Sequence, residues 1–81
     1  MLEPRFCYRI LAAAGLSHDE QGNDTECFTQ IELEDLPKLE QDEYDRRHEE
    51  YRHGLAEHLR LNVNYLKCIS QEEYDDNVDD Y

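Results

Sequence analysis

The feature that most constrains this chain is its excess of negative charge. Twenty-one aspartate and glutamate residues stand against eight lysine and arginine residues, so the 81-residue chain has a formal net charge of −13. Such a chain is repelled by phosphate backbones and anionic membranes, and it attracts basic surfaces. We therefore expect a basic protein as the principal partner, rather than nucleic acid or a membrane.

The length predicts one small domain of modest stability, because hydrophobic gain and chain entropy nearly cancel at 81 residues. Apolar spacing predicts a mainly α fold, a small helical domain of two to three helices over residues 1–70 with a possible short strand. The remaining residues, 71–81, are predicted to be an acidic tail that is too poor in apolar side chains to fold by itself.

The first helix is predicted over residues 1–16, where Phe6, Ile10 and Ala14 share a helical face and Gly15 is placed as a stop. Residues 17–25 read as a loop, with the likeliest turn at Gly22 and Asn23. Residues 26–36 fit either a strand or a helix, and we favour a short extended segment although no partner strand is evident.

A second helix is predicted to begin near Leu36, with Asp35 as its N-cap and Pro37 in its first turn. Gly54 predicts a break or bend, and a last helix follows over about residues 55–70. Acidic residues precede basic ones at i,i+4, from Asp42 to Arg46 and from Glu43 to Arg47. The apolar face of this helix comprises Leu36, Leu39, Tyr44, His48, Tyr51, Leu55 and Leu59.

Acidic residues are concentrated in two blocks, and this arrangement carries the prediction of function. Residues 17–45 contain eleven acids and a single base, Lys38, and residues 71–81 contain six acids and no base. Carboxylates two apart in a strand or four apart in a helix lie about 6–7 Å from each other, which is the order of the phosphate spacing along a nucleic-acid strand. The alternative is a solvated acidic face that only maintains solubility. The predicted partner-binding residues are Glu32, Glu34, Asp35, Glu40, Asp42, Glu43, Asp45, Glu72, Glu73, Asp75 and Asp76.

Aromatic residues within the acidic tail suggest a way to recognise arginine. Tyr74 and Tyr81 lie among acids that include Asp79 and Asp80, and their rings can stack on guanidinium groups while the carboxylates pair with them. A disordered terminus is the alternative interpretation.

Residues 55–69 resemble a helix-turn-helix unit of bacterial transcription regulators. In that resemblance Ala56 is the small residue where two helices cross, Asn62 caps the second helix, and Leu66 and Ile69 pack inward. The usual glycine of the turn is absent, and Arg60 is present there instead. The same residues also suit a structural corner without DNA contacts.

Metal, cofactor and catalytic signatures are weak, so we predict no metal site, no cofactor and no enzymatic activity. His48 and His53 are five residues apart and point about 140° from each other on a helix, so they do not chelate one ion. The three cysteines contain no Cys-x-x-Cys pair and are expected to be reduced. With no secretory signal or membrane span evident, we expect the cytoplasm, that of the host cell if the protein is phage-encoded.

The leading hypothesis is a non-catalytic acidic inhibitor that binds a basic nucleic-acid-binding surface of another protein. In size and composition the chain resembles small phage-encoded anti-defence proteins, including anti-CRISPR inhibitors and nucleic-acid mimics, and that resemblance implies the same mode of action. The alternative is a helix-turn-helix DNA-binding regulator or anti-repressor. A possible homodimer, joined through Tyr44, Tyr51, Leu55 and Leu59, is a third hypothesis.

Overall fold

A computed structural model describes residues 1–78. Four strands precede the first α-helix, and a fifth strand and a second α-helix follow it. The prediction of a mainly α domain is therefore wrong, because the described chain is an α+β domain with five strands and two α-helices. Short 3-10 helices span Ala12–Ala14 and Val63–Tyr65. The elements are β1 (Arg5–Ile10), β2 (Ser17–His18), β3 (Asp24–Thr25), β4 (Cys27–Glu32), α1 (Gln41–Leu59), β5 (Leu66–Ile69) and α2 (Gln71–Val78).

The central sheet has three antiparallel strands in the order β4-β1-β5. Strand β1 pairs with β4 from Arg5 opposite Glu32 to Ile10 opposite Cys27, and it pairs with β5 on its other side. Helix α1 connects β4 to β5, so these two parallel strands flank β1. Strands β2 and β3 form a separate small hairpin, whose turn contains Gly22 at φ 84° as the turn prediction implied.

Strand β1 replaces the predicted N-terminal helix. Phe6, Tyr8 and Ile10 are 0%, 0% and 4% exposed, so a period of two buries three large side chains on one face, while Arg5, Cys7 and Arg9 lie on the other. A helix would have aligned only Phe6 with Ile10. Gly15 does end a helical turn as predicted, but the turn is the short 3-10 helix, and its left-handed conformation has φ 70°.

The predicted short extended segment is confirmed as β4, and its partner strand is β1. Helix α1 begins later than predicted, with Glu40 as the residue before it. Leu39 forms an isolated β-bridge with Leu2, and this keeps the backbone extended up to that point. Asp35 and Pro37 therefore precede the helix, and the predicted N-cap at Asp35 is wrong. The helix also continues through Gly54 without the predicted break.

The apolar face of α1 covers the face of the sheet formed by Phe6, Tyr8 and Ile10. Phe6 stacks on Tyr44 with ring centroids 4.8 Å apart and meets Tyr51 edge-on at 4.9 Å. Leu55, Leu59 and Tyr51 pack half-buried against the core. The side chains proposed for a homodimer interface are therefore occupied by the core of their own chain.

Buried polar groups connect α1 to β1. His48 is 7% exposed, and its Nε2 lies 2.7 Å from the Cys7 carbonyl oxygen. Because that oxygen can only accept, Nε2 carries the proton. The Tyr8 hydroxyl donates to the His48 carbonyl at 2.9 Å, and the Tyr44 hydroxyl donates to the Arg5 carbonyl. These bonds set the position of α1 along the strand.

The predicted last helix over about residues 55–70 is wrong, because α1 ends at Leu59 and the chain then enters a 3-10 helix and β5. Arg60 adopts a left-handed conformation with φ 58°, which turns the chain out of the helix. Asn62 does cap the next element, since its side-chain oxygen accepts from the Asn64 amide at 2.9 Å. The capped element is the 3-10 helix rather than an α-helix.

Replacing Arg60 by glycine is expected to stabilise the folded chain by about 0.5–1 kcal/mol, because glycine adopts the left-handed conformation without the Cβ penalty. Arg60→Ala removes the same charge and keeps the strained geometry. Urea unfolding of both variants measures the difference, and an equal free energy of unfolding for the two would contradict a strain at this position.

The predicted acidic tail is folded over part of its length as α2. The Ser70 hydroxyl accepts from the Glu73 amide at 3.0 Å, and Glu72 and Glu73 in the first turn suit the positive end of the helix dipole. Helix α2 lies on the face of the sheet opposite α1, where Arg5 and Arg9 bind it by ion pairs. The expectation concerned the tail by itself, and in the structure α2 is docked on the sheet by these ion pairs.

Candidate acidic interaction surface

The predicted partner-binding residues lie on four parts of the fold. Glu32 ends β4, Glu34 and Asp35 follow it, and Glu40 precedes α1. The first turns of α1 carry Asp42, Glu43 and Asp45, and α2 carries Glu72, Glu73, Asp75 and Asp76. All are exposed except Glu43 and Glu73, which are half-buried. Asp79, Asp80 and Tyr81, which belonged to the predicted arginine-stacking tail, lie outside the described residues, while Tyr74 is half-buried on α2.

Backbone pairing brings several of these acids to the end of the sheet where β1 begins. Glu32 lies opposite Arg5 across the β1–β4 ladder, and the Leu33 amide donates to the Pro4 carbonyl at 3.0 Å. The antiparallel bridge between Leu2 and Leu39 brings the segment before β1 beside the segment before α1, and Glu3 and Lys38 both line the cleft at this end. We define the acidic end as Glu3, Glu32, Glu34 and Asp75.

Arg5 connects the acidic end to α2. Its guanidinium donates two hydrogen bonds to the Asp75 carboxylate, at 3.1 and 2.9 Å. This pairing raises the pKa of Arg5 above its ordinary value. The Gln71 side chain donates to the carbonyls of Glu3 and Arg5 at 2.9 and 3.0 Å. The beginning of β1 and the beginning of α2 are therefore held together by directed bonds.

A cleft of about 320 Å³ opens at the acidic end. Its walls combine the carboxylates of Glu3, Glu32 and Glu34 with the cations of Arg5 and Lys38. Its apolar lining is Pro4, Leu33, Leu36 and Pro37. An apolar floor below acidic groups suits the long aliphatic stem and charged head of a lysine or arginine side chain.

Most of the predicted carboxylates have no cationic neighbour. Glu43 pairs with Arg46 and Arg47, Glu73 pairs with Arg9, and Asp75 pairs with Arg5. The predicted pair of Asp42 with Arg46 does not form, because Arg46 lies 3.2 Å from Glu43 and 3.6 Å from Glu50 instead. Eight of the predicted acids have no lysine, arginine or histidine nitrogen within 4 Å among residues 1–78: Glu32, Glu34, Asp35, Glu40, Asp42, Asp45, Glu72 and Asp76.

The positive charge of the chain, by contrast, is largely used internally. Five of its arginines form ion pairs with carboxylates: Arg5, Arg9, Arg46, Arg47 and Arg52. Lys38, Arg60 and Lys67 form no ion pair within the described part of the chain. Within residues 1–78, eight of the predicted carboxylates and three cations thus remain outside ion pairs.

The helix-turn-helix resemblance is not supported by the geometry of residues 55–69. The residues of the expected reading helix form a 3-10 turn and strand β5, which is hydrogen-bonded to β1. Ala56, Leu66 and Ile69 are buried as the resemblance implied, but they serve a corner between a helix and a sheet. This segment therefore presents no α-helix to a major groove.

The histidines and cysteines have structural surroundings. His48 lies in the core, whereas His53 is on the surface, with its Nε2 3.3 Å from a Glu49 oxygen. Burial raises the pKa of Cys7 and Cys27. Cys68 is exposed as a residue, but its Sγ lies 3.8 Å from the His48 carbonyl, and burial of the thiol raises its pKa to about 11. Within residues 1–78 no group of three or more histidine, cysteine or acidic side chains is arranged to hold a metal ion.

Glu49 shows how the paired acids differ from the unpaired ones. Arg52 donates to its Oε1 at 2.6 Å, and this hydrogen bond holds the pKa of the Glu49 carboxyl below its ordinary value. The same guanidinium donates to the carbonyls of Val63 and Leu66 at 2.8 and 2.9 Å. Glu49 therefore orients an arginine that ties α1 to β5.

Replacing Glu49 by glutamine is expected to lower the free energy of unfolding by at most about 1 kcal/mol at neutral pH, since the pair is partly exposed to solvent. A lowered pKa contributes stability above the ordinary carboxyl pKa and loses it as the pH falls through the folded value. The difference between variant and parent should therefore vanish in acid. Urea unfolding across this pH range measures it, with Glu57→Gln, on an exposed acid of the same helix, as the control. A difference that persists below the lowered pKa would contradict this role.

Three residues that line the cleft are absent from the sequence-based prediction: Glu3, Arg5 and Lys38. Glu3 and Arg5 fall within residues 1–16, for which the sequence predicts a helix packed into the core. The alternation of Phe6, Tyr8 and Ile10 was the available signal. It would have placed Arg5 on the opposite face of a strand.

The described residues form a small α+β domain in which most of the predicted acids have no cation within 4 Å. No described helix has the length and apolar character needed to cross a membrane. No protein-family model matches the chain, and no curated protein or solved structure matches it either. The charge and ion pairing of the described residues are therefore the features that bear on function.

Proposed function

We propose that this protein is a non-catalytic acidic inhibitor that binds the basic nucleic-acid-binding surface of another protein and competes with the polyanion. The observation that carries the proposal is the pairing pattern: eight predicted carboxylates have no cation within 4 Å in residues 1–78, while five arginines are occupied in ion pairs. A partner that supplies lysine and arginine would complete the missing pairs.

The carboxylates are supported by folded elements rather than by a loose tail. Glu32 is at the end of a strand paired through its full length, Glu40 precedes a 19-residue helix, and Glu72 lies in a helix anchored by Arg5. Prepositioned charges lose less conformational freedom on binding than charges on a disordered segment. This supports a specific inhibitor over a solvated face, which would need no such support.

The mechanism requires no covalent bond to form or break. Carboxylates approach the partner's lysine and arginine groups, and counterions held at both surfaces are released. Affinity then depends steeply on salt, and the partner's nucleic acid and this protein exclude each other. A cytoplasmic site of action, in a host cell if the protein is phage-encoded, and a role against bacterial defence belong to the same proposal.

An affinity capture tests the proposal directly. The full chain is immobilised, exposed to a nuclease-treated bacterial lysate, and eluted with rising salt or with excess duplex DNA, and the released proteins are identified by mass spectrometry. We expect a basic nucleic-acid-binding protein that is released by both eluents. Retention of no such protein, or of one that duplex DNA does not release, would contradict competitive mimicry.

A further inference from the structure

The outer edge of the central sheet has a defined set of open backbone groups. Strand β4 lies at the edge, and its ladder with β1 is regular over all six residues. The Leu33 amide donates to Pro4, and hydrogen-bonded pairs alternate in an antiparallel ladder. It follows that Cys27, Thr29 and Ile31 bond to β1. The amides and carbonyls of the alternate residues point away from the sheet: Phe28, Gln30 and Glu32.

The opposite edge of the sheet is short and partly covered. Strand β5 has only four residues, and the outward carbonyl of Leu66 accepts a hydrogen bond from Arg52 at 2.9 Å. Short strands and covering side chains are the usual protection of sheet edges. Strand β4 has neither, and its outward backbone groups make no hydrogen bond within residues 1–78. Its sequence, from Cys27 to Ile31, also contains no charge and no proline.

A buried polar atom lies on the same strand. The Gln30 side-chain oxygen is buried and has no hydrogen-bond partner in the described chain. Buried acceptors are normally satisfied, so an unsatisfied one requires an explanation. Gln30 is in the middle of β4, and a strand added to that edge would bring donors beside it.

Charge favours a cationic occupant over a second copy of this chain. Glu32 and Glu34, at and just after the end of β4, line the cleft together with Glu3. A second copy paired antiparallel about Gln30 would place Glu26 opposite Glu34 and would bring two chains of charge −13 together. A lysine- or arginine-containing strand would meet opposite charge at the same positions.

We propose that an extended cationic segment of the partner adds to the β4 edge as a fourth strand and places a lysine or arginine side chain in the cleft of the acidic end. Backbone hydrogen bonds to Phe28, Gln30 and Glu32 supply the pairing. The carboxylates of Glu3, Glu32 and Glu34 select the charge, because they outnumber Lys38 and because Arg5, the other cation of the cleft, is paired with Asp75. This inference rests on the proposed function and specifies its binding mode.

A peptide comparison tests the strand addition on the full protein. The probe is a synthetic peptide in which lysine alternates with valine, and its matched control is the same peptide methylated at every backbone nitrogen. Both carry the same charge, but only the first can donate backbone hydrogen bonds. We expect the methylated peptide to bind about tenfold more weakly or worse. The unmethylated peptide should also slow amide exchange at Phe28, Gln30 and Glu32. Equal affinities would overturn the proposal.

A pair of variants at Gln30 separates this binding mode from the proposed function. Gln30→Pro removes the outward amide while leaving the bonds to β1, and Gln30→Val keeps the amide and removes the side-chain polarity. The proline variant should lose the peptide and the captured partner, whereas the valine variant should lose no more than the one hydrogen bond that the Gln30 side-chain oxygen would accept. Circular dichroism checks the fold. If the proline variant does not fold, the comparison of the methylated and unmethylated peptides on the parent protein tests the strand addition instead.

If Gln30→Pro captures as much of the partner as the parent chain does, strand addition is overturned but the acidic-inhibitor function is not. Failure of the parent to capture any basic partner would overturn the function itself. Sedimentation that shows a dimer of the parent, lost in the proline variant, would place a second copy on this edge and overturn the cationic occupant.

Discussion

Replacing Phe6 by alanine is expected to destabilise the fold by about 3–5 kcal/mol, which is the usual cost of removing a buried phenylalanine ring. Phe6 is fully buried and its ring contacts Tyr44, His48 and Tyr51 at centroid distances of 4.8, 5.8 and 4.9 Å. Alanine would leave a cavity between the sheet and α1. A domain of this size has about 4–12 kcal/mol in total, so the variant should be close to unfolding.

The second phenylalanine of the chain is the matched control. Phe28 is half-buried on the other face of the sheet, 5.8 Å from the Arg9 guanidinium. Phe28→Ala should cost about 1–2 kcal/mol, because less surface is lost and no closed cavity forms. Urea unfolding followed by circular dichroism gives both values. A Phe6→Ala cost equal to that of Phe28→Ala would contradict a core centred on Phe6.

Reversing two charges at the acidic end is expected to weaken binding of the captured basic partner by about 10²-fold. Glu32 and Glu34 are exposed and have no cation within 4 Å in residues 1–78, and changing both to lysine replaces attraction by repulsion at two positions of the interface. Each reversal is expected to cost about 1–2 kcal/mol at a partly desolvated contact, and 1.4 kcal/mol corresponds to a tenfold change in affinity.

The double variant Glu20→Lys, Glu57→Lys is the control for total charge. Glu20 lies in the β2–β3 turn and Glu57 near the end of α1, away from the acidic end, and both are exposed. The net charge changes equally in the two variants. Because salt at physiological strength screens exposed charges beyond about 8 Å, the control should lose only about threefold or less. Equal losses would show that total charge, and no particular surface, governs binding.

The spacing of apolar residues predicted α1 better than β1, because only in α1 does that spacing fit a single kind of element. The stripe of Tyr44, His48, Tyr51, Leu55 and Leu59 has a single interpretation at helical spacing, and the structure buries or half-buries each of these residues. In β1 the spacing of Phe6 and Ile10 fits a helix as well as a strand. The choice depends on pairing with β4 and β5, which are distant in sequence, so tertiary contacts decide it.

The acids themselves were predictable, but their grouping was not. Composition identifies Glu32 and Glu34 as candidates, whereas the pairing of β1 with β4 that brings Glu3 beside them has no signature in the sequence. Helix α2 was missed for a related reason. Its segment is too acidic to fold alone, and it is held by ion pairs to Arg5 and Arg9 across the sheet.

The central claim is that this protein and nucleic acid occupy the same basic surface. The direct measurement uses the captured partner with a fluorescent duplex bound to it, titrated with the parent chain at several duplex concentrations. Mutually exclusive binding predicts complete displacement, with an apparent dissociation constant for the protein that rises in proportion to duplex concentration. A stable ternary complex of partner, duplex and this protein would contradict the claim.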